Sequence, residues 1–425
     1  MRKLLGFFIA VLFLSNLSAQ QDTLTIMHYN VLNYGNTSNF CPESKYPLSN
    51  KSKYIRTIID YVKPDIVSFN EVSPEPHFHD SLANALQNGN STAYKLAPAT
   101  NLAKSNLVNL LFYNTEKVAL HSAKVIRHSL RDINVYRMYY KDLQPMSDTV
   151  FFTCIVAHLK AGSGKDDATT RASMTNAIME WLQRESYQNY FLMGDFNLYS
   201  STEEAYQTLT SGGASVRFFD PLDREGNWHD NSSYANIHTQ STRLANTGCF
   251  AQGGLDDRFD FILFNETVKE SALNVSYLSD SYHAVGNTGG FFNDSVHYVE
   301  GMSVSKEVME ALRGNSDHLP VTLKIAVETS QRQTVRQGSK HPRIQVSISN
   351  PVAENLLVWI QSDKKEQFKL HIRDTKGSFV MEQDLSWIKG QETKSIPLHH
   401  LPCGIYILTI VDGNGIQSVK KFVKR

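Results

Sequence analysis

Residues 191–197 read Phe-Leu-Met-Gly-Asp-Phe-Asn, an apolar run that ends in Asp195 and Asn197. Such a run predicts a buried β-strand that delivers its last side chains to a loop. Because successive side chains of an extended backbone alternate, two residues two positions apart point to the same side. Asp195 can then orient a water molecule while Asn197 holds an anionic oxygen. In isolation, a strand followed by an Asx turn accounts for the same residues.

Four further clusters repeat this arrangement of an apolar run and a polar side chain. The first contains Asn30 and the second Glu71. The third contains His158, and the fourth contains Asp317 and His318. Their sequences are HYNVLN, IVSFNEV, VAHLKAG and NSDHLPV. Carboxylate and amide oxygens are the ligands that Mg²⁺ and Mn²⁺ prefer. The clusters together predict a site in which a divalent metal, an anion grip and a water activator are combined.

Two histidines are candidates for proton transfer or anion contact. A carboxylate partner fixes the tautomer of a histidine and raises its basicity, and His318 with Asp260 in RFDFILF is a candidate pair. His158 is a candidate for contacting phosphate or acting as a general acid. Each of the 15 histidines, taken alone, is more often a surface or structural residue. The prediction therefore depends on the ordered set of clusters.

The charge balance gives the chain no overall field for attracting a polyanion. Its 425 residues include 42 Lys+Arg and 42 Asp+Glu. Nucleic-acid binding would therefore require a local cationic patch or a metal ion. The overall charge neither establishes nor excludes such a substrate.

The N-terminus, residues 1–19, has the pattern of a signal peptide. Arg2 and Lys3 precede an apolar stretch over 4–14, and small residues end at Ala19. This stretch and every later one is shorter than the roughly 18 apolar residues of a membrane-spanning helix. We predict cleavage after Ala19 and an exported mature chain without a transmembrane segment.

The four cysteines give no zinc-binding pattern. Cys154 lies in an apolar run, where a buried free thiol is the expected state. Export permits disulfides, and Cys41 with Cys249 is one candidate pair, although sequence does not establish a pairing.

The order of apolar runs and amphipathic stretches divides the chain. Alternating strand and helix patterns over 22–328 predict a mixed α/β domain. Within it, Ser200 and Ser201, followed three positions later by glutamates, predict a helix start of the capping-box kind. Polar residues over 329–342 predict a linker, and short β-type runs over 343–425 predict a small all-β sandwich.

The ordered set HYNVLNYG, IVSFNEV, VAHLKAG, LMGDFN, FDFIL and SDHLPV resembles the endonuclease/exonuclease/phosphatase superfamily over residues 22–328. This superfamily includes pancreatic-type deoxyribonuclease, abasic-site endonucleases, neutral sphingomyelinases and inositol polyphosphate phosphatases. The resemblance implies an α/β fold, a four-layered α/β/β/α sandwich of two mixed sheets. The site would lie in the cleft at one edge of the sheets.

The resemblance also implies a metal site and a water activator. Glu71 would be the principal metal ligand, with Asn30 and Asp317 nearby. The ion would be Mg²⁺ or Mn²⁺, with Ca²⁺ as an alternative. Asp195 would orient or deprotonate the attacking water, and Asn197 would bind the phosphate.

Further residues carried over by position would contact the substrate. His318, backed by Asp260, would contact phosphoryl oxygens or act as a base. His158 would resemble the second histidine of the deoxyribonuclease branch, where a carboxylate lies beside it. No carboxylate matches that partner near Asn106. Arg137 in VYRMYY would correspond to a phosphate-gripping arginine, and Asn30 would join Asn197 among the substrate-binding residues.

The C-terminal module resembles the type A sorting domain of the type IX secretion system of Bacteroidota. The matching features are SNPVAENLLV, a DTKG turn, LPCGIYILTI and the basic end KKFVKR. The resemblance implies an address that the outer-membrane secretion machinery reads, often removed after export. A carbohydrate- or protein-binding β-sandwich is the alternative.

These patterns predict a secreted or cell-surface phosphodiesterase that depends on a divalent metal and an activated water. Extracellular DNA or RNA is the expected phosphodiester substrate. A phospholipid or sugar-phosphate hydrolase on the same fold is an alternative, because the catalytic set does not encode the substrate. A catalytically inactive surface-binding protein is a second alternative, and the complete polar set argues against it.

Loops over 74–104, 220–257 and 279–314 are the expected determinants of specificity. Five of their aromatic side chains are predicted to stack on bases or touch acyl chains. They are Tyr234, Phe250, Tyr282, Phe291 and Phe292.

Overall fold

The structure, a computed structural model, describes most of the chain. The described residues are 20–36, 41–87, 93–141, 149–185, 188–211, 216–245, 248–329, 344–362, 367–374, 378–386, 390–412 and 415–425. The predicted signal peptide and the predicted linker, apart from Thr329, lie outside them. The chain divides into two compact units, Met1–Arg332 and Gln333–Arg425.

The first unit alternates strands with helices along its described residues. Its strands are β1 (Gln20–Tyr34), β2 (Ile66–Val72), β3 (Tyr94–Leu96), β4 (Val108–Asn114), β5 (Val118–Ile126), β6 (Ile133–Tyr140), β7 (Phe151–His158), β8 (Tyr190–Asp195), β9 (Phe218–Phe219), β10 (Asp260–Asn265), β11 (Val275–Tyr277), β12 (His283–Ala284) and β13 (Val321–Thr329). Its helices are α1 (Leu48–Val62), α2 (Pro76–Gln87), α3 (Lys165–Leu182), α4 (Glu204–Thr210), α5 (Glu266–Lys269) and α6 (Lys306–Asn315), with a 3-10 helix at Ser232–Ile237.

These strands form two mixed sheets. The first sheet has the order β11-β13-β1-β2-β4-β3, with β12 paired to β13, and the second has the order β5-β6-β7-β8-β10-β9. Strands β1 and β2 are parallel, as are β7 and β8, while their other neighbours are antiparallel. The parallel pairs bring the ends of β1 and β2, and of β7 and β8, to the same edge of their sheets.

The cores show how the layers stack. Ile26 on β1 packs in a core between the two sheets, whereas the next residue, Met27, packs with α1, α2 and α6. On the second sheet, Met193 enters the inter-sheet core and Leu192 packs with α3 and α4 on the outer face. Alternation along each strand therefore feeds opposite cores. The predicted four-layered α/β/β/α sandwich is confirmed.

Two helix boundaries illustrate local sequence effects. Helix α1 ends at Val62 because Lys63 adopts a left-handed conformation and Pro64 cannot continue the helix. Helix α4 begins at Glu204, and no side chain caps it. The predicted capping box is wrong, because the carboxylate of Glu203 instead binds the Arg171 guanidinium at 2.7 Å and the backbone N–H of Tyr199.

The second unit consists of antiparallel strands. They are β14 (Ile344–Ile348), β15 (Asn355–Ser362), β16 (Gln367–Asp374), β17 (Phe379–Ser386), β18 (Gly390–Pro397), β19 (Gly404–Asp412) and β20 (Gly415–Lys424). They form one sheet in the order β14-β15-β18 and another in the order β17-β16-β19-β20. Alternate apolar residues of both sheets share one core, so the predicted all-β sandwich is confirmed.

Covalent and membrane-related features complete the fold. Cys41 and Cys249 form a disulfide across 208 positions of sequence, so the candidate pairing is the one observed. Cys154 is a buried free thiol, as predicted, and Cys403 is an exposed one. Among the described residues, no helix combines the length and apolar character needed to cross a bilayer.

Candidate active site

Strand pairing brings the predicted polar residues to one edge of the two sheets. Asn30 on β1 lies in register with residue 70 on β2, next to Glu71. On the second sheet, Asp195 at the end of β8 lies in register with both His158 on β7 and Asp260 on β10. The turn that precedes β13 brings Asp317 and His318 to the same place, where His318 Nε2 lies 3.4 Å from the Asn30 amide nitrogen.

Backbone geometry at two positions shapes this edge. Glu71 lies at an irregularity of the β2 pairing and has a φ of 63°, a left-handed conformation that is uncommon outside glycine. Gly194 precedes Asp195, and a Cβ atom at this glycine would lie 1.7 Å from the carbonyl oxygen of Ala157. Only glycine lets β7 and β8 approach this closely, which explains its position in the GDFN motif.

The Asp195 carboxylate lies at the centre of the cluster and is 1% exposed. Its Oδ1 accepts the backbone N–H of Asn197 at 3.0 Å, and its Oδ2 accepts the amide of Asn30 at 2.8 Å. Burial raises the pKa of Asp195 to about 7, the charges of Asp260 and Glu71 add to the effect, and His318 opposes it. Burial and the neighbouring carboxylates therefore both disfavour the charged form of Asp195.

His318 and Asp260 form a buried ion pair. Nδ1 of His318 donates to Oδ2 of Asp260 at 2.7 Å, and His28 lies 3.5 Å from the other carboxylate oxygen. Burial would lower the pKa of His318, but the charges of Asp260 and Asp195 raise it well above the ordinary value. Burial would likewise raise the pKa of Asp260, yet His318 and His28 hold it at about 2. The two carboxylates therefore favour the protonated form of His318.

His158 is buried between two carboxylates. Its Nε2 lies 3.6 Å from Asp195 and 4.0 Å from Glu71. Burial lowers its pKa well below the ordinary value, and the positive charge of Arg131 adds to the effect. Its Nδ1 has no hydrogen-bond partner among the described residues. No carboxylate therefore supports this nitrogen in the described structure.

The donor set suits a hard divalent cation. One ligand atom each from Glu71, His158 and Asp195 lies within 4.8 Å of the others. Asp317 adds a buried carboxylate whose Oδ1 has no hydrogen-bond partner among the described residues. Buried carboxylate oxygens without a partner are costly unless a cation accompanies them. Oxygen-rich sites of this kind match Mg²⁺, Mn²⁺ or Ca²⁺ better than a thiolate-seeking metal.

The amide of Asn30 faces the carboxylates with its nitrogen. Its Nδ2 donates to Asp195 and to Glu71, at 2.8 and 3.2 Å, while its Oδ1 accepts the backbone N–H of Leu32 at 3.0 Å. This differs from the predicted role of Asn30 as an oxygen ligand to metal. The physical reason is local, because the turn after Asn30 consumes the amide oxygen. Asn30 instead fixes the positions of the two carboxylates.

The structure does not bring Arg137 to this cluster. Strand β6 runs antiparallel to β7, so Arg137 pairs with Thr153, far along the strand from His158. Its guanidinium lies over the ring of Phe151 at 4.5 Å. Arg131, just before β6, lies beside the site and donates to the carbonyl of Leu159 at 3.1 Å. Its Nε has no hydrogen-bond partner among the described residues.

Residues 27–283 match the model of the Endonuclease/Exonuclease/phosphatase family. The chain belongs to this family. Members of the endonuclease/exonuclease/phosphatase family are phosphoesterases, so the first unit is a phosphoester hydrolase.

Several solved structures of this family are similar to the chain. An endonuclease/exonuclease/phosphatase family protein from Bacteroides thetaiotaomicron is 16% identical, covers 76% of this chain and all of its own, and has a TM-score of 0.44. The human Nocturnin catalytic domain with bound sulfate is 16% identical over 72% of this chain and 96% of its own, with a TM-score of 0.46. A mannosyl-6-phosphatase from Bacteroides thetaiotaomicron is 16% identical over 71% of this chain and 99% of its own, with a TM-score of 0.43. No curated protein sequence matches the chain.

The C-terminal unit has a family of its own. Residues 349–425 match the model of the secretion system C-terminal sorting domain. This match supports the predicted type IX sorting function and indicates export to the cell surface or the medium.

Sequence reasoning missed four residues that lie at or beside this cluster. They are His28, Lys51, Arg131 and Gln240. His28 lies two positions before Asn30 on β1, so strand alternation was a signal that could have found it. Gln240 comes from a loop remote in sequence, and its amide lies 2.7 Å from Nε2 of His318 and 3.4 Å from Asp317. No local pattern marks it.

Lys51 is a buried cation on α1 behind the acidic cluster. Its ammonium donates to the carbonyl of Asn315 at the end of α6. Burial lowers its pKa to about 7, although the charges of Asp317 and Glu71 oppose this change. Its position in the helical pattern gave no signal, because a lysine on an amphipathic helix usually faces solvent.

Three of the five aromatic residues predicted to contact substrate are buried in the fold. Phe250, Tyr282 and Phe291 are at most 7% exposed. The Tyr282 hydroxyl donates to the carbonyl of Asp260, and Phe291 belongs to the core beneath the first sheet. Only Tyr234 and Phe292 of that set are partly exposed. The prediction is therefore wrong for the three buried rings, because apolar packing takes them inside.

Proposed function

We propose that the first unit is a divalent-metal-dependent phosphodiesterase with extracellular nucleic acid as its substrate. One observation carries the proposal. The Asn30 amide nitrogen lies within 3.4 Å of Glu71, Asp195 and His318, which come from separate strands and a turn. In this proposal the three groups act as a metal-side carboxylate, a water activator and a charge-stabilising imidazole, which are functions that metal-assisted phosphoryl transfer can use.

Glu71 and Asp317 would hold the metal ion, which is Mg²⁺ or Mn²⁺ in this proposal. When bound, the ion neutralises phosphoryl oxygens and stabilises the leaving oxygen. Asn30 orients Glu71 through its amide N–H, while the Ala251 backbone N–H holds Oδ2 of Asp317 at 2.9 Å. These contacts leave Oδ1 of Asp317 available for the ion.

Asp195 orients and deprotonates the attacking water. Its carboxylate cannot rotate freely, because Asn197 and Asn30 each donate a hydrogen bond to a different oxygen. A positioned carboxylate contributes to the rate by holding water in line with the phosphorus atom. Asn197, in a left-handed conformation two residues after the end of β8, binds a phosphoryl oxygen with its amide.

His318 and Arg131 stabilise the charge on the phosphoryl oxygens. His318 is held as a cation by Asp260, so contact with a phosphoryl oxygen is favoured over the base role. Arg131 replaces Arg137 as the phosphate-gripping arginine. Burial disfavours the charged form of His158, and its Nδ1 lacks a carboxylate partner among the described residues, which favours an orienting role over general acid catalysis.

The proposal extends to the path of the protein out of the cell. Residues 1–19 form the signal peptide, 22–328 the catalytic domain, 329–342 a linker and 343–425 the sorting domain. The outer-membrane type IX machinery of a member of the Bacteroidota reads the sorting domain. A secreted or surface-bound enzyme would meet extracellular DNA or RNA without competition from intracellular pools.

A sugar phosphate is a second candidate substrate. The observation that favours it is the burial of Phe250, Tyr282 and Phe291, which leaves few aromatic surfaces for base stacking. Tyr199, two residues after Asn197, packs edge-on against His229, which is hydrogen-bonded to Asp257 at 2.7 Å. Polar groups of this kind suit hydroxyl-rich leaving groups as well as nucleotides.

The experiment is hydrolysis by the purified mature protein of plasmid DNA, RNA, sphingomyelin, mannose 6-phosphate and a nitrophenyl phosphodiester. Each reaction is run with Mg²⁺, with Mn²⁺ and with excess EDTA. The proposal predicts cleavage of nucleic acid that stops in EDTA and returns with either metal. Cleavage of mannose 6-phosphate alone would replace the substrate with the second candidate, and activity that persists in EDTA would contradict the metal requirement.

A further inference from the structure

A chain of buried amide side chains connects the two sheets beneath Asp195. The backbone N–H of Asp195 donates to Oδ1 of Asn70 at 2.8 Å, and Nδ2 of Asn70 donates to Oδ1 of Asn109 at 2.8 Å. Nδ2 of Asn109 then donates to Oδ1 of Asn134 at 3.2 Å. Every bond runs in the same direction, so each amide oxygen accepts and each amide nitrogen donates.

This hydrogen-bonded chain of amides ends at a loop rather than in the core. Nδ2 of Asn134 donates to the hydroxyl of Thr100 at 3.0 Å, and this hydroxyl donates to Asp132 at 2.7 Å. The same carboxylate accepts the backbone N–H groups of Leu102 and Ala103, at 2.7 and 2.9 Å. Asp132 is thus the final acceptor, and it fixes the loop at 100–103.

The three asparagines occupy positions that alternation would otherwise assign to apolar residues. They lie on β2, β4 and β6, and they are 0%, 3% and 1% exposed in the order Asn70, Asn109 and Asn134. A buried amide is tolerated only when its donors and acceptors are satisfied. The chain satisfies the inner groups, and Asn109 also donates to the carbonyls of Asp132 and Val156. Such a network fixes geometry more sharply than packed methyl groups do.

We propose that Asn70, Asn109 and Asn134 are positioning residues that hold Asp195 in its catalytic orientation. This inference rests on the proposed role of Asp195 as water activator. The Asp195 backbone is held by a side chain of the opposite sheet, so the relative position of the two sheets sets the direction of its carboxylate. Asn109 is the centre of this series of hydrogen bonds, because its amide also donates to two backbone carbonyls. One belongs to Asp132, just before β6, and the other to Val156, near the end of β7.

Matched asparagines elsewhere in the fold provide controls. Asn114 lies at the other end of β4, away from the site, and is also buried. Its amide donates to Asp65 over a distance of 3.3 Å. Asn265 accepts the backbone N–H of Tyr190 at 2.9 Å, at the opposite end of β8 from Asp195. Both make the same kinds of hydrogen bonds as the three asparagines. Replacing either of them therefore removes a buried amide without breaking the hydrogen-bonded chain that leads to Asp195.

The test compares Asn109→Ala with Asn114→Ala in the mature protein. The first readout is amide hydrogen exchange of the segment 190–197, measured without metal or substrate. The second is kcat and KM on the phosphoester that the wild type cleaves. Positioning predicts exchange about tenfold faster near Asp195 and kcat lower by about 10- to 100-fold in Asn109→Ala, with KM changed less than about threefold. Asn114→Ala should leave both readouts near wild type.

Equal exchange and equal kcat in the two variants would overturn the proposal. If Asn109→Ala does not fold, Asn134→Ala is measured in the same way, since it removes the third hydrogen bond along the series from Asp195. If the wild type cleaves no phosphoester, the proposed function fails by itself. The exchange measurement then still decides whether the chain holds Asp195, and unchanged exchange would overturn it.

Discussion

Nδ1 of His318 lies 2.7 Å from Oδ2 of Asp260, and both side chains are buried where the two sheets meet. The carboxylate holds the imidazole in one orientation, with Nε2 turned toward Asn30 and Gln240. Burial lowers the pKa of His318, but the negative charges of Asp260 and Asp195 raise it well above its ordinary value and so favour the protonated ring. A cationic donor is therefore ready where phosphoryl oxygens would bind.

Replacing Asp260 with asparagine should remove the charge but keep a hydrogen-bond acceptor. Burial would then dominate, so the pKa of His318 would fall and the ring would be neutral at pH 7.5. We expect kcat/KM to drop about 100-fold at pH 7.5, and the deficit relative to the wild type to shrink as the pH is lowered toward 5.5, although protonation of Asp195 lowers both activities there. The measurement is the pH profile of kcat/KM, with the exposed Asp223→Asn as control. A profile parallel to that of the wild type would contradict this account of His318.

Metal binding should stabilise the protein. An ion that binds only the folded state at 100 times its dissociation constant adds about 2.7 kcal/mol of stability. We expect Mn²⁺ to raise the Tm of the first unit by several degrees relative to EDTA, and Glu71→Gln to abolish the rise. Calorimetry provides the measurement. The control is Glu75→Gln, which changes an exposed glutamate between β2 and α2. An equal rise in Glu71→Gln would place the ion elsewhere.

The sequence pattern assigns the phosphate contact to Arg137, whereas the structure favours Arg131. Arg131 lies beside His158 and Leu159, whereas Arg137 packs on Phe151. We expect Arg131→Ala to raise KM about tenfold, because a charge-assisted contact to phosphate is lost. Arg137→Ala should leave KM unchanged and lower stability slightly. Steady-state kinetics of both variants decide the matter, and the reverse pattern would restore the sequence-based assignment.

The disulfide should stabilise the catalytic unit in an oxidising environment. Cys41 and Cys249 are separated by 208 positions, so the bond closes a long loop in the unfolded chain. We expect the double variant Cys41→Ser with Cys249→Ser to lose roughly 2–5 kcal/mol of unfolding free energy. Urea titration measures the loss, and Cys403→Ser, which removes an exposed free thiol, should be neutral. A double variant as stable as the wild type would show that the bond contributes nothing.

The sequence allowed the sheet edge to be predicted because each strand carries its polar residue at a recognisable place. Asp195, His158 and Glu71 each follow a buried, largely apolar run, and buried parallel strands produce such runs. Which end of each strand faces the site follows from the chain direction. The four layers could be predicted for the same reason, from strands alternating with amphipathic helices.

Strand order and long-range packing could not be predicted locally. Arg137 was chosen from its own strand, but only the antiparallel pairing of β6 with β7 shows that Arg131 lies at the site end. Gln240 reaches His318 from a loop 78 positions away. Phe250 and Tyr282 lie in polar-rich loops that suggest exposure, yet the fold covers both rings. Each of these outcomes depends on tertiary contacts that a single sequence does not encode in any local pattern.

The most direct measurement of the central claim is Mg²⁺-dependent phosphodiester hydrolysis by the mature wild type beside Asp195→Ala and His318→Ala. The exposed Asp80→Ala is the matched control, and circular dichroism checks that all variants fold. We predict that both site variants lose at least about 100-fold in kcat/KM while the control retains full activity. Hydrolysis that survives in both folded site variants would contradict the assignment of this cluster as the active site.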